Sequence, residues 1–283
     1  MPKYQSLHWR PHVALDLGTA TARIATGASS FMEKPSRIGA KRALHNGVII
    51  DTETALEVLK PLLGRAKIFG MVKPCVLACA PSDADEEERS ALSTAVMGAG
   101  ASSVSIIPEP LAAAIGSGLD VSSQYAQMII DIGEGVTDCA VVKSGKIQTT
   151  WAVRQGGAHM RSSIVNLSQL KGWTTCDEAQ AESLLRTWGL KRSSPHDGGM
   201  LAATAVQPVV DKIADEIEGF MKDLPDRLAC DVIDSGVCLT GGGALIPGIQ
   251  EYLEQRLRVT VSLARHPLTS VAEGARAVLL VIL

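Results

Sequence analysis

Two acids stand at the ends of apolar runs and are followed by glycine turns: Asp16 in HVALDLGTATARIATG, and Asp131 in AQMIIDIGEGVTDCAVVKSGKI. A strand that runs into a glycine turn brings backbone N–H groups together with no side chain in the way, which makes a cradle for an anion. Gly18 with Thr19, and Gly133 with Gly135, are two such cradles for phosphate oxygens. Asp16 and Asp131 would then repel the phosphates unless a cation intervenes, and Mg²⁺ held partly through water is the expected mediator. Either turn alone reads equally well as an ordinary hairpin closure. Two matching copies in one chain weaken that alternative. A third glycine turn, GGGALIPG, follows the apolar run SGVCLT. Three consecutive glycines cost conformational entropy, and their flat backbone lets an adenine lie against it. The alternative there is a flexible strand-to-helix connection.

These turns need strands on both sides, and the apolar pattern supplies them. Each acidic segment predicts a strand, a tight turn and a return strand, the second closed by Ser144-Gly145. This duplication, one acidic hairpin per lobe, organises the chain. SSFMEKPSRIGAKRALHNG reads as a short polar link to a helix over Thr52 to Leu63, and KPCVLACAPS as a buried strand. Ser82 with Asp85 resembles a capping box opening a helix with Leu92, Ala95, Val96 and Ala99 on one face. VSIIPEPLAAAIGSGLD predicts a strand, a turn and a small-residue helix with Pro110 at its start, suited to close backbone approach. Further helices are expected over Met160 to Leu170, Asp177 to Thr187, Ala202 to Leu224 and from Pro267, with a polar break at KRSSPHDGG. Strands alternating with helices predict an α/β fold of mixed sheets flanked by helices. The length of 283 residues allows two lobes with a cleft between them.

Composition narrows the function. The formal net charge is −3 with no basic block, so counterion release has no source and nucleic acid is not an expected partner. Cys75, Cys79, Cys139, Cys176, Cys230 and Cys238 form no CxxC pair and lie mostly in apolar runs, which predicts free thiols in a reducing compartment. The histidines show no ligand spacing. No apolar run approaches the ~18 residues of a membrane span and no signal peptide precedes the first strand, so the expected location is the cytoplasm. The terminal AVLLVIL is expected to be the buried end of a helix.

Taken in order, these segments resemble the signature blocks of the actin-like ATPase superfamily, most closely those of bacterial MreB/Mbl-type cytoskeletal proteins. DLGTAT resembles the first phosphate block, IDIGEGVTD the second, and PEPLAAAIGSGLD the stretch linking the lobes. LTGGGALIPGIQEYL resembles the adenosine block and HPLTSVAEGARAVL the closing link, while RALHNGVIID and APSDADEEERSALSTAVMGAGASSVSIIPEP follow the same pattern. The resemblance implies an actin-like (ribonuclease H-like) two-lobed fold with a nucleotide cleft, lobe I being 12–122 plus 265–283 and lobe II 123–264. It implies ATP and Mg²⁺ as cofactors, with Asp16 and Asp131 around the metal and Gly18, Thr19, Ala20, Gly133, Glu134 and Gly135 at the phosphates. Gly156 and Gly157 in VRQGGAHM would pass close to the nucleotide, and Gly241, Gly242, Gly243 and Ala244 would meet the nucleoside. Glu109 matches the position that orients the attacking water; an acid before Pro110 also suits a helix N-cap. Glu182 in DEAQAESLL matches a glutamate contacting the nucleoside, the alternative being a solvated helix face.

The implied function is a filament-forming protein with slow ATP hydrolysis, a scaffold for cell shape or wall synthesis whose partners are its own copies and wall-synthesis proteins. Rivals are a small Hsp70-like or reactivase-like ATPase and a non-hydrolysing actin-like interaction protein acting on a partner. The chain departs from the pattern at Thr21, where asparagine is usual, and at Glu134, where glycine is usual and the acid is expected to point away from the phosphates. It also lacks an expected lysine near Leu185, and both outer subdomains are shortened. KIFGMVKP places Ile68, Phe69 and Met71 where the family has a membrane-touching loop, which Tyr4 and Trp9 would extend, implying peripheral contact with the inner membrane. An apolar loop tucked against the core is the alternative.

Overall fold

The computed structural model describes residues 10–26, 30–171, 176–192 and 198–282. β1 (His12–Leu17) turns back as β2 (Thr21–Thr26), and β3 (Ser30–Pro35) pairs beside it at the edge. Two short hairpins follow: β4 (Arg37–Ile38) with β5 (Lys41–Arg42), then β6 (Leu44–His45) with β7 (Val48–Ile49). The segment expected as a polar link is therefore structured. β3 alternates exposed and half-buried side chains, as an edge strand can, and this is why its sequence reads as polar. Asn46 and Gly47, both at positive φ, make the two-residue turn that matches strand twist.

α1 (Thr52–Arg65) starts at Asp51, whose carboxylate accepts the Thr54 N–H. It leads to β8 (Cys75–Ala80), α2 (Glu86–Gly98), β9 (Ser103–Pro108) and α3 (Glu109–Gly116). The capping box expected from Ser82 is absent. Asp85 caps α2 by accepting the Glu88 N–H, and three glutamates in the first turn favour the positive end of the helix. Ser82 instead serves a buried acid across the cleft.

The second half repeats the plan. β10 (Gln127–Ile132), β11 (Thr137–Lys143) and β12 (Lys146–Val153) form a meander. α4 (Gly157–Leu170), α5 (Glu178–Thr187), α6 (Gly199–Lys222) and α7 (Asp226–Ser235) follow. β13 (Val237–Thr240), α8 (Ile249–Leu257), β14 (Val261–Leu263) and α9 (Ser270–Ile282) complete the chain. The order β3-β2-β1-β8-β9 in the first sheet matches β12-β11-β10-β13-β14 in the second. In each sheet the hairpin strands are antiparallel and the later strands parallel, so both sheets are mixed. α7, α8, β12 and β14 add to the sequence reading. Most of the polar break at KRSSPHDGG lies outside the described residues.

The central strands are apolar on both faces because helices cover both. One face of the first sheet packs Leu15 and Val76 against Leu59 and Val96 of α1 and α2. One face of the second packs Ile130 against Ile164, Val206 and Leu253 of α4, α6 and α8. The other two faces are covered by a crossover. α3 follows the first sheet yet lays Ala113 and Ala114 on Ile129 and Ala140 of the second. α9 follows the second sheet yet lays Ala275 and Leu279 on Ala14 and Cys79 of the first. The two helices meet backbone to backbone, and a Cβ on Gly116 or Gly274 would overlap the carbonyl of Ser270 or Ala112. In the apolar C-terminal run Leu279 is buried, whereas Val281 is 85% exposed.

Candidate functional site

A cleft of about 210 Å³ opens where the two acidic turns face each other. Asp16, Gly18, Thr19 and Ala20 line it from the first turn, and Asp131, Gly133, Glu134 and Gly135 from the second. Glu109, Gly157, Gly241, Gly242 and Gly243 complete the set brought together there. Gly156 sits just behind, as the N-cap of α4, with its N–H donated to His159 Nδ1. Ala244 faces away into the core under the second sheet, and Glu182 stands one layer out. Glu109 is the first residue of α3, with Pro108 at the cap position, and its side chain makes no cap hydrogen bond.

The two turns close alike. Gly18 N–H donates to Thr21 O at 3.2 Å, and Gly133 N–H to Val136 O at 2.8 Å. The second turn is pinned from behind, since Gly157 and Ala158 at the start of α4 donate to the carbonyls of Gly133 and Glu134. The first is pinned from the side by the β6–β7 tip, where Gly47 N–H donates to Thr19 Oγ1 at 2.8 Å. The third turn is held by Gly241, at positive φ, whose N–H donates to Pro267 O at 3.1 Å.

Five carboxylates and two guanidinium groups line this space: Asp16, Glu109, Asp131, Glu134 and Asp138 against Arg23 and Arg186. Burial pushes the Asp16 carboxyl up to about 6, although Arg23 Nη1 stands 3.6 Å away and lowers it. Asp131 is pushed up to about 7, by burial first and then by Asp16 and Asp138. Asp138 also reaches about 7 through burial, despite accepting hydrogen bonds from Ser82 N and Oγ at 2.7 and 2.6 Å. Glu109 is pushed well above the usual carboxylate range, by burial and then by Asp16, Asp138 and Asp131. Crowded acids of this kind receive a polyphosphate only together with a cation. Among the described residues no three metal-ligating side chains converge. The donors here, two aspartates able to act through water beside phosphate oxygens, fit Mg²⁺.

Several of these residues escape the motif reading. Asp16 pairs with Arg23 across the first ladder and Asp131 with Asp138 across the second, so each partner stands seven residues on and the hairpin register would have found both. Glu134 lines the cleft, and its carboxylate is ion-paired with Arg161 of α4. Leu185, where a lysine was expected, is buried in the core, but the next residue, Arg186, lines the cleft and donates to Gly242 O at 2.7 Å. Across the mouth, Arg154 holds Asp83 and Glu88 at 2.8 Å each and Asn46 O at 2.7 Å, while Arg42 holds Glu178 at 3.0 Å.

Away from the cleft, Ile68 and Val72 form an antiparallel bridge with Phe69 and Gly70 at its tip, both at positive φ. Phe69 is 89% exposed and Met71 80%, so this loop is not tucked against the core. Tyr4 and Trp9 lie outside the described residues. No helix among the described residues is long and apolar enough to cross a membrane.

A family profile described as MreB/Mbl protein matches residues 10–194 and 189–282. The chain is 31% identical over 264 residues to the cell shape-determining protein MreB of Escherichia coli, covering 85% of this chain and 76% of that protein. It is 30% identical over 286 residues to the cell shape-determining protein Mbl of Bacillus cereus, covering 93% and 86%. Among solved structures, MreB5 of Spiroplasma citri bound to ADP superposes with a TM-score of 0.87 at 25% identity, over 96% of this chain and 97% of that one. The same protein bound to AMPPNP superposes equally well. A subunit of the MamK double helical filament shares the fold, with a TM-score of 0.81 at 15% identity over 95% and 98% of the two chains.

Proposed function

The chain belongs to the MreB/Mbl family of actin-like proteins, and from that premise we propose that it binds MgATP in the cleft, assembles into filaments that scaffold cell shape, and hydrolyses ATP slowly. The observation that carries the reading is the pair of acidic turns, set on two sheets of identical strand order, that line one cleft together with the triple-glycine turn. The relatives determine cell shape, and Spiroplasma citri MreB5 is bound to ADP or AMPPNP. The bodies that close on the nucleotide are 12–122 with 265–283, and 123–264. The filament supplies the self-contacts, on the cytoplasmic side of the inner membrane.

Phosphoryl transfer asks a protein for positioning and for charge stabilisation. Backbone N–H groups of Thr19 and Ala20, and of Glu134 and Gly135, face the phosphates, with Gly18 and Gly133 closing the two turns beneath them, and Gly241 to Gly243 form the shelf for the nucleoside. Asp16 and Asp131 would hold Mg²⁺ through water, and the ion would supply the positive charge that lets the phosphates lie beside these acids. Glu109 aims a water at the terminal phosphorus and accepts its proton, which requires its carboxyl to ionise. In the nucleotide-free cleft burial and then the neighbouring acids oppose that ionisation, and a cation beside Asp16 and Asp131 would offset the second of these, so Glu109 becomes a better base when the metal enters with the nucleotide.

Electron microscopy of the purified protein with and without MgATP tests assembly, and filaments that need nucleotide are expected. Glu109→Gln should bind MgATP within about threefold of the parent yet release phosphate roughly 100-fold more slowly. Unchanged phosphate release removes Glu109 from the reaction. The exposed Phe69 loop is the proposed membrane contact. Phe69→Asp should lose sedimentation with anionic liposomes, and equal sedimentation removes that contact.

A further inference from the structure

Glu134 occupies the centre of the second glycine turn, the position that the neutral Thr19 holds in the first. A free carboxylate there would face the same space as the phosphates and oppose them. It is not free. Arg161, one turn into α4, grips both its oxygens: Nη1 donates to Oε2 at 2.9 Å and Nη2 to Oε1. The pair is 13% and 15% exposed, shielded enough for the neutralisation to persist in salt. Arg161 does not itself line the cleft, so it acts on a ligand through the side chains it holds, Glu134 first.

The arrangement extends further. Arg161 Nη1 also donates to Glu182 Oε2 at 3.0 Å, and the other oxygen of Glu182 accepts from Arg186 Nε at 2.7 Å. Arg186 then donates to Gly242 O. Two acids and two bases thus run from the second turn to the third with no net charge. The fold has no evident need of the pair, because α4 is already tied to that turn by the Gly157 and Ala158 N–H groups.

We propose that Arg161 is a positioning residue: its fork neutralises Glu134 and turns it aside, so that the second glycine turn accepts nucleotide phosphate. The inference rests on the nucleotide-cleft reading above. Glu182 becomes the link through which the phosphate turn and the triple-glycine turn hold a fixed spacing.

The test is calorimetric titration of MgATP and MgADP into the parent, Arg161→Ala, Glu134→Gln and the double variant, with thermal melting of each nucleotide-free protein as the control for folding. Arg161→Ala should weaken MgATP binding about tenfold or more, because an unpaired charge is left in the cleft. Adding Glu134→Gln should restore affinity to within about threefold of the parent, since the opposing charge is gone. Glu134→Gln alone should bind at least as well as the parent. A purely structural pair would give no rescue. Arg161→Gln, run in parallel, keeps the measurement available where Arg161→Ala melts too low. Affinity unchanged in both Arg161 variants, or a double variant as weak as the single, overturns the proposal alone. A parent that binds no MgATP overturns the cleft reading and this inference with it.

Discussion

Across the first ladder Asp16 faces Arg23, whereas across the second Asp131 faces Asp138. Both acids end the first strand of a hairpin, both precede a glycine whose N–H closes the turn, and both look into one cleft. Their electrostatic settings differ. Burial raises both carboxyls; Arg23 offsets part of the rise at Asp16, which reaches about 6, while Asp16 and then Asp138 add to it at Asp131, which reaches about 7. A repeated scaffold therefore fixes where a carboxylate stands and how deeply it is buried, and its cross-strand neighbour adjusts how much it needs a cation. The first turn carries its own counter-charge; the second leaves that task to whatever enters the cleft.

The largest consequence concerns magnesium. Removing Asp16 releases Arg23 Nη1 while Nε stays paired with Glu33 at 3.1 Å, so the cation remains at the cleft, can face a phosphate and compensates in part. Removing Asp131 frees no cation. Asp131→Ala should therefore lose about 100-fold of the Mg²⁺-dependent gain in nucleotide affinity, and Asp16→Ala about tenfold, a difference of ~1.4 kcal/mol. Titrations with and without Mg²⁺ measure both. Equal losses would mean that the cross-strand partner is irrelevant and would break the comparison.

A second effect is on stability without ligand. A carboxyl whose folded pKa is raised holds a proton that the unfolded chain has already released, so it contributes stability at low pH that is lost as pH rises through the folded value. For Asp16 that loss is complete a little above pH 6, and for Asp131 and Asp138 a little above pH 7. The nucleotide-free protein should thus melt lower at pH 8 than at pH 5. Asp131→Asn should flatten this trend between pH 6 and 8, where Asp16→Asn changes it less. A melting temperature that rises across that window would contradict the assigned burial of these acids.

The strands, both acidic turns and most helices were legible because apolar periodicity and glycine placement are local signals. β3 is hidden because an edge strand exposes alternate side chains and so resembles a linker, whereas Asn46-Gly47, later in the same segment, is a strong signal for the β6–β7 hairpin. Ser82 was misread as a cap because its true partner, Asp138, is 56 residues away. The site divides in the same way. Motif matching reached Asp16, Asp131 and Glu109, whose neighbours in sequence are also their neighbours in space. It did not reach Arg161 or Arg186, because the helices bearing them come to the glycine turns only through packing on the second sheet. The helix crossover was beyond local pattern for the same reason, even though the small residues that permit it were visible.

The smallest difference between the turns is steric. Ala20 in the first corresponds to Gly135 in the second. Ala20 is exposed, so its methyl group meets solvent, whereas Gly135 is buried against the tip of the separate β6–β7 hairpin. A Cβ on Gly135 would lie 2.7 Å from both Asn46 Cα and Thr19 Oγ1. The threonine can rotate away, at the cost of its bond from Gly47; the Asn46 backbone can yield only if the tip withdraws. That tip is also where Arg154 ties the second sheet to Asn46 O. Gly135→Ala should therefore cost about 1–3 kcal/mol, the usual range for overpacking. The reciprocal change, Ala20→Gly, should cost under about 1 kcal/mol, from backbone entropy alone. Denaturant melts of the two variants measure both values. A Gly135→Ala protein as stable as its parent would show that the tip gives way freely, and that the two sheets are held together at the cleft by Arg154 and Asp138 without help from this contact.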